Sequence, residues 1–194
     1  MIRIVFGLPG SGKSTYLAYI ANREVSKMKK NKSVYQFVYS NIDLNINGIR
    51  KLDIDWLGKY MIADSLILID EGTLFFDNRD YRNFSKNLVN FFMTYRHYKN
   101  DVIIFCQKWD AIDIKIRSVC DSVQFVSKGM FGFSFIYNVP YCVRFKADED
   151  SRKLSDIVMG YGKPSLCNII FRKKYFKLFD SYSRFNLPPI PYDF

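Results

Sequence analysis

The sequence holds a single histidine, His97, and four cysteines, Cys106, Cys120, Cys142 and Cys167, none in a C-x-x-C spacing. That scarcity makes a poor zinc set, since structural zinc needs four closely patterned ligands. Reduced, mostly buried thiols that pack as small hydrophobes are the expectation. Long apolar runs are lacking too: no window reaches the roughly 18 to 20 uninterrupted apolar residues of a membrane-spanning helix. The opening Met-Ile-Arg-Ile-Val-Phe-Gly is too short an apolar run for a secretory leader, so a cytoplasmic location is expected. Acidic residues are in the minority, 19 against 29 lysines and arginines, which leaves a net charge of +10. The excess gathers at Lys27, Lys29, Lys30 and Lys32, and again at Arg172, Lys173, Lys174 and Lys177. Two readings of these clusters stand: contact with a polyanion such as nucleic acid or a membrane surface, or a pair of solvated faces.

What is present is a globular composition, 48% apolar and 18% aromatic over 194 residues, enough to bury a core in one domain with an appended extension. Apolar runs alternate with helical patterns. Strands are expected at residues 2–6, 33–40, 66–70, 101–107 and 121–127, with a helix over 13–30. A second helix over 83–98 has Phe84, Leu88, Phe91, Phe92 and Tyr95 on its inner face. Strands separated by helix-length segments imply crossover connections and a parallel sheet. The expected fold is therefore α/β, with a mostly parallel five-stranded sheet flanked by helices over residues 1–130. Residues 131–194 read as a C-terminal extension packed on that core. Its expected parts are an antiparallel pair, 133–139 with 141–147, a surface connection at 148–153 and a proline-rich tail at 187–194.

The chemistry concentrates at Gly7-Leu8-Pro9-Gly10-Ser11-Gly12-Lys13-Ser14, a full match to the phosphate-loop pattern G-x-x-x-x-G-K-[ST] between an expected strand and helix. Glycines let the backbone turn its N–H groups towards phosphates, and the helix dipole adds to the attraction. Pro9, Gly10, Ser11, Gly12, Lys13, Ser14 and Thr15 are the candidate nucleotide contacts. Lys13 is expected to reach the β- and γ-phosphates of ATP, and Ser14 to offer its hydroxyl to Mg²⁺. A second metal-site residue belongs at the end of an apolar strand, and Ser65-Leu66-Ile67-Leu68-Ile69-Asp70-Glu71 supplies it. Asp70 is the candidate for the metal. Glu71 is placed either to orient and deprotonate a water or merely to cap the strand. Gln107, ending the next strand, is a γ-phosphate sensor or a satisfied loop amide. Hydrolysis of this type gains from an arginine near the γ-phosphate, often a neighbouring subunit's. Arg96 and Arg117 are the candidates, Arg117 slightly ahead because it precedes the fifth strand.

The phosphate loop, the Asp70-Glu71 pair and the stretch from Tyr95-Arg96-His97-Tyr98 to Gln107 together resemble the zonular occludens toxin-like (Zot) family. These are morphogenesis ATPases of filamentous phages, related to the FtsK/HerA P-loop motors. The resemblance covers residues 1–130 and rests mainly on the segment from Arg96 to Gln107. It implies nucleotide chemistry at Lys13, Ser14, Asp70, Glu71 and Gln107. His97 holds the place of the family's Arg-His motif, in a direct role or packed under the next strand. The family also implies virion assembly and export at the host inner membrane, with viral assembly proteins and single-stranded DNA as partners. A homo-oligomeric ring is expected, because an arginine acting in trans needs a neighbour. Family members commonly continue into a transmembrane helix, which this sequence lacks, so peripheral membrane contact or a packaging-type motor is expected instead. Two other functions stay open: a small-molecule P-loop kinase, and a non-hydrolytic ATP-gated interaction module.

Overall fold

The computed structural model describes residues 1–77, 86–147, 154–160 and 163–180, with backbone alone for 141–160. The apolar runs become neighbouring strands of one sheet. β1 (Ile2–Phe6), β2 (Phe37–Ser40), β3 (Ile49–Lys51), β4 (Ser65–Ile69), β5 (Asp101–Cys106) and β6 (Ser122–Lys128) are parallel, in the order β6-β1-β5-β4-β2-β3. The five expected strands are all present. The sixth parallel strand, β3, was not expected from the sequence: it is three residues long and has no apolar run to announce it.

Helices on both faces explain why the strand sequences are continuously apolar rather than alternating. Successive side chains point to opposite faces. Leu66, Leu68, Ile103 and Phe105 pack with Leu17, Ala21 and Val25 of α1 (Lys13–Met28). Ile67, Ile69, Val102 and Ile104 pack on the other face with Phe91, Phe92 and Tyr95. Phe91 and Phe92 belong to α2 (Lys86–Thr94), so the expected aromatic face is core; Phe84 lies outside the described residues. Ile116, from the one-turn α3 (Ile114–Arg117), completes that layer. Among the described residues no helix is long and apolar enough to cross a membrane.

The C-terminal strands depart from expectation. β7 (Phe133–Val139) does not pair with β8 (Tyr141–Ala147). Both edges of β7 are already taken, by β6 on one side and β10 (Ser165–Phe171) on the other, each antiparallel. β8 pairs instead with β9 (Leu154–Gly160) in a separate two-stranded sheet. Thus the main sheet reaches eight strands, with an antiparallel margin on the β6 side. The connection at 148–153 and the tail at 187–194 lie outside the described residues. Cys106 and Cys120 are buried free thiols, and burial pushes the Cys106 thiol up to about 12. Cys167 is exposed, while nothing of the Cys142 side chain is described.

The stretch after α2 is a set of clamps. Asn100, 1% exposed, accepts from Ser65 N (3.1 Å) and donates to Ile62 O (2.6 Å), which fixes the β5 entry against β4. Asp121, just before β6, accepts from Ile2 N (2.6 Å) and the Tyr95 hydroxyl (2.7 Å) and pairs with Arg96. Arg96 also donates through Nε to the Tyr95 oxygen at 2.8 Å. One carboxylate thus ties the end of α2 to the starts of β1 and β6.

Partial burial opposes ionisation of Asp121, but its hydrogen bonds and Arg96 outweigh it and hold the carboxyl below its usual value. A depressed folded-state value adds stability that is present above the unfolded pKa of about 3.9 and lost as pH falls through the folded one. Asp121→Asn is therefore expected to melt below wild type at pH 6. That gap should narrow steadily in melts taken from pH 5 towards pH 2, and a pH-independent gap would show that the carboxylate charge is not what the clamp uses.

Candidate functional site

β1 ends at Phe6 and α1 begins at Lys13, so residues 7–12 turn at the C-terminal edge of the parallel sheet, where open α/β sheets bind ligands. Gly10 (φ 72°) and Gly12 (φ 99°) take left-handed conformations that other residues enter at a cost. At Gly12 a Cβ would also collide with Ser134 Oγ and the Arg172 side chain. No side chain caps α1, and its first turn carries no acid, so the amides at its positive end suit an anion. Ser134 on β7 donates to the Ser11 carbonyl at 2.6 Å and holds the loop from beneath. Lys13 is 6% exposed, and its Nζ donates to the loop carbonyls of Gly7 (2.9 Å) and Leu8 (3.3 Å).

The acids arrive from β4, two strands away, with β5 between. Asp70 is 5% exposed, and Asn41 grips its backbone at both ends: Asp70 N donates to Asn41 Oδ1 (2.7 Å), and Asn41 Nδ2 donates to Asp70 O (2.9 Å). Burial pushes the Asp70 carboxyl above its ordinary value. The nearby Ser14 hydroxyl, the Glu71 N–H and the charge of Lys13 pull it down, while the Glu71 charge pushes it up. Glu71 follows in a left-handed conformation (φ 47°), which costs about 1–3 kcal/mol for a non-glycine residue. Gly72 has no room for a Cβ, which would strike Ile104, so the chain stays flush with β5 while Glu71 turns outwards. Gln107 Nε2, at the end of β5, lies 3.5 Å from Glu71 Oε2.

Pro9, Gly10, Gly12, Lys13, Ser14, Thr15, Glu71 and Gln107 line one cavity of about 300 Å³, with Arg172, Phe176 and Phe179 across from them, while the buried Asp70 is not part of that lining. Ser11 is buried behind the loop, and its Oγ has no hydrogen-bond partner. No cluster of three or more His, Cys, Asp or Glu is arranged for a metal among the described residues. The donors that do meet are one hydroxyl and one carboxylate, Ser14 and Asp70. That hard oxygen pair suits Mg²⁺, which keeps several waters and takes its remaining ligands from phosphate.

Neither arginine singled out in the sequence reaches this cavity in its own chain. Arg96, with its side chain 67% exposed, sits at the start of β1, a five-residue strand of roughly 16 Å from the loop. Arg117 is 9% exposed, donates to Ile112 O at 2.8 Å and lies over the Trp109 ring. His97 is exposed in the turn after α2 rather than packed under β5. Sequence reasoning missed three residues: Asn41, Ser134 and Arg172. An asparagine directly after an expected strand, level with the end of the acid-bearing strand, was a usable signal for Asn41. The other two are brought in only by the β7 and β10 pairing, which leaves no local trace.

Gly12→Ala is expected to destabilise the protein by more than the roughly 1 kcal/mol of a strained φ, because the Ser134 contact adds to it. Ser134→Ala should cost about 1 kcal/mol for the lost bond to Ser11. Denaturant melts of the two variants and the double mutant check this: relief of the collision predicts that Gly12→Ala is less damaging in the Ser134→Ala background.

The zonular occludens toxin (Zot) family model matches residues 41–185, from Asn41 through the acid pair and Gln107 to the segment that carries Arg172. No curated protein sequence matches the chain. The fold is similar to the N-terminal domain of zonular occludens toxin from Neisseria meningitidis, at 17% identity and TM-score 0.55 over 92% of this chain and 98% of that one. It is also similar to the flagellar accessory protein FlaH from Methanocaldococcus jannaschii, at 13% identity and TM-score 0.50 over 81% and 89%. The genome packaging NTPase B204 from Sulfolobus turreted icosahedral virus 2, solved with ATP-gammaS, gives 13% identity and TM-score 0.49 over 80% and 95%. With the family model spanning most of its length, the chain belongs to the Zot family.

Proposed function

We propose that the protein is an ATP-hydrolysing motor for filamentous-phage-like virion assembly and export or for viral DNA packaging. The observation that carries this reading is the placement of the buried Asp70 carboxylate beside Lys13 and Ser14 of the phosphate loop, with Glu71 and Gln107 lining the cavity that the loop borders. Lys13 exchanges its loop carbonyls for the β- and γ-phosphate oxygens of ATP. Mg²⁺, held by Ser14 and Asp70, would supply charge neutralisation between those phosphates. Glu71 and Gln107 align a water in line with the γ-phosphorus. Its oxygen bonds to phosphorus, the bond to the bridging oxygen breaks, and Glu71 accepts the water's proton.

Work on a polymer requires that each turnover be felt by a neighbour, and a ring of identical subunits provides that geometry. Of the two arginines considered for action in trans, Arg96 is the accessible one and Arg117 the buried one. The lysines that end α1 and follow it, Lys27, Lys29, Lys30 and Lys32, give a face for single-stranded DNA or anionic lipid, whose binding should weaken steeply with salt.

Phosphate release measured with Glu71→Gln tests the hydrolytic reading. Turnover is expected to fall by roughly 10²–10⁴-fold, the usual worth of a general base, with ATP affinity little changed. Lys13→Ala should lose binding as well. Native-rate turnover in Glu71→Gln would remove the hydrolytic assignment, and transfer of phosphate to an added nucleoside faster than to water would make the protein a kinase.

A further inference from the structure

The 3-10 segment Arg172–Leu178 runs off the end of β10 and crosses in front of the phosphate loop, and its first residue lies 162 positions beyond Gly10 in sequence. We infer that this segment is part of the nucleotide site: Phe176 and Phe179 hold the nucleobase, and Arg172 is a phosphate ligand supplied by the same chain. The inference rests on the nucleotide-binding reading of the cavity and adds to it the side that the loop itself cannot provide.

Arg172 donates through Nη1 to Gly10 O at 3.2 Å and through Nε to Gly132 O at 3.3 Å, so its guanidinium lies on the rim of the phosphate loop. Five N–H donors in a planar fork allow it to keep a backbone anchor and still bond a phosphate oxygen. The segment is fastened on both sides of Phe176. Tyr175 stacks edge-on against Tyr19 of α1, with ring centroids 5.6 Å apart. Beyond it, Leu178 O accepts from Asn45 N at 2.7 Å, and Phe179 bridges to Leu44. Between these fastenings Phe176 stands 51% exposed on the cavity wall, with Phe179 beside it in the lining.

Two phenyl rings facing the side chains of Lys13, Ser14, Thr15, Glu71 and Gln107 across one cavity suit a ligand of mixed character. A bare polyphosphate needs Lys13, the loop amides and Arg172 but gains nothing from Phe176 or Phe179. A nucleotide adds a flat aromatic base, and stacking on an aromatic side chain is worth enough that alanine substitution weakens binding by roughly 5- to 150-fold per base. The aromatic pair therefore points to a nucleoside triphosphate rather than to phosphate alone. The nearby lysines Lys173, Lys174 and Lys177 belong to the same segment, so its basic character contributes to the field over the triphosphate as well as to solubility.

The test compares binding of a non-hydrolysable ATP analogue and of inorganic tripolyphosphate to the full chain by calorimetry. Phe176→Ala/Phe179→Ala is expected to lose roughly 5- to 150-fold in affinity for the analogue while binding tripolyphosphate about as wild type does. Arg172→Ala should weaken both ligands. Phe176→Trp, which keeps an aromatic face, should retain affinity, and the fluorescence it adds should be quenched by the analogue but not by tripolyphosphate. Wild-type affinity for the analogue in the double alanine variant, or an equal loss for both ligands, would overturn the base contact. Where the alanine variant does not fold, added fluorescence in Phe176→Trp that the bound analogue leaves unquenched would overturn it in the same way. Wild-type protein that bound neither ligand would instead remove the nucleotide reading underneath, a separate and recognisable failure.

Discussion

The site depends on one juxtaposition of distant parts of the chain: Lys13 and Ser14 at the start of α1 lie beside the buried Asp70 carboxylate at the end of β4 and favour its charge against the cost of burial. Strands β1 and β4 are not neighbours; β5 lies between them. The phosphate loop and the acid pair can meet only because all three strands are parallel and end at the same edge, and because Asn41 holds the Asp70 peptide from β4's other neighbour, β2. Burial of the Asp70 carboxyl works against its charge, a cost the isolated fold carries and that a cation beside it would offset. Much of the scaffold is arranged to keep that unfavourable group in place.

Interposing β5 has a second effect. Gln107 leaves the sheet between loop and acids, within 3.5 Å of Glu71, so an amide stands beside the carboxylate proposed to activate water. Glu71 itself is presented by a left-handed residue followed by a glycine with no room for a side chain. Strain at such a position persists only where the surroundings over-determine it. Here the surroundings are the Asn41 grip before it and the contact of Gly72 with Ile104 after it.

The segment that carries most of the family resemblance divides into two kinds of residue. Tyr95, Arg96 and Asn100 are clamps that set the start of the parallel strands, and Gln107 alone reaches the cavity. A distinctive pattern in sequence thus reports largely on how β5 is held in register with β1 and β4. That is why Arg96 looked like chemistry from the sequence and lies instead at the far end of the sheet in its own chain.

The legible part of the molecule was the part built from local signals. Continuous apolar runs such as Leu66-Ile67-Leu68-Ile69 announce strands covered on both faces, and the glycine-lysine-serine loop announces where a strand hands over to a helix. β3 escaped because Arg50 and Lys51 are exposed and the strand is too short to show a period. The pairing of β7 escaped because register is a property of edges, and no local pattern says which edge β6 and β10 will fill. That pairing matters for more than topology. It delivers Ser134 beneath the phosphate loop and Arg172 across it, so the antiparallel margin, expected from the sequence only as part of an extension packed on the core, forms one wall of the cavity. A displacement of β10 would therefore move Arg172 against Gly10, and with it the cradle in which the triphosphate is proposed to lie.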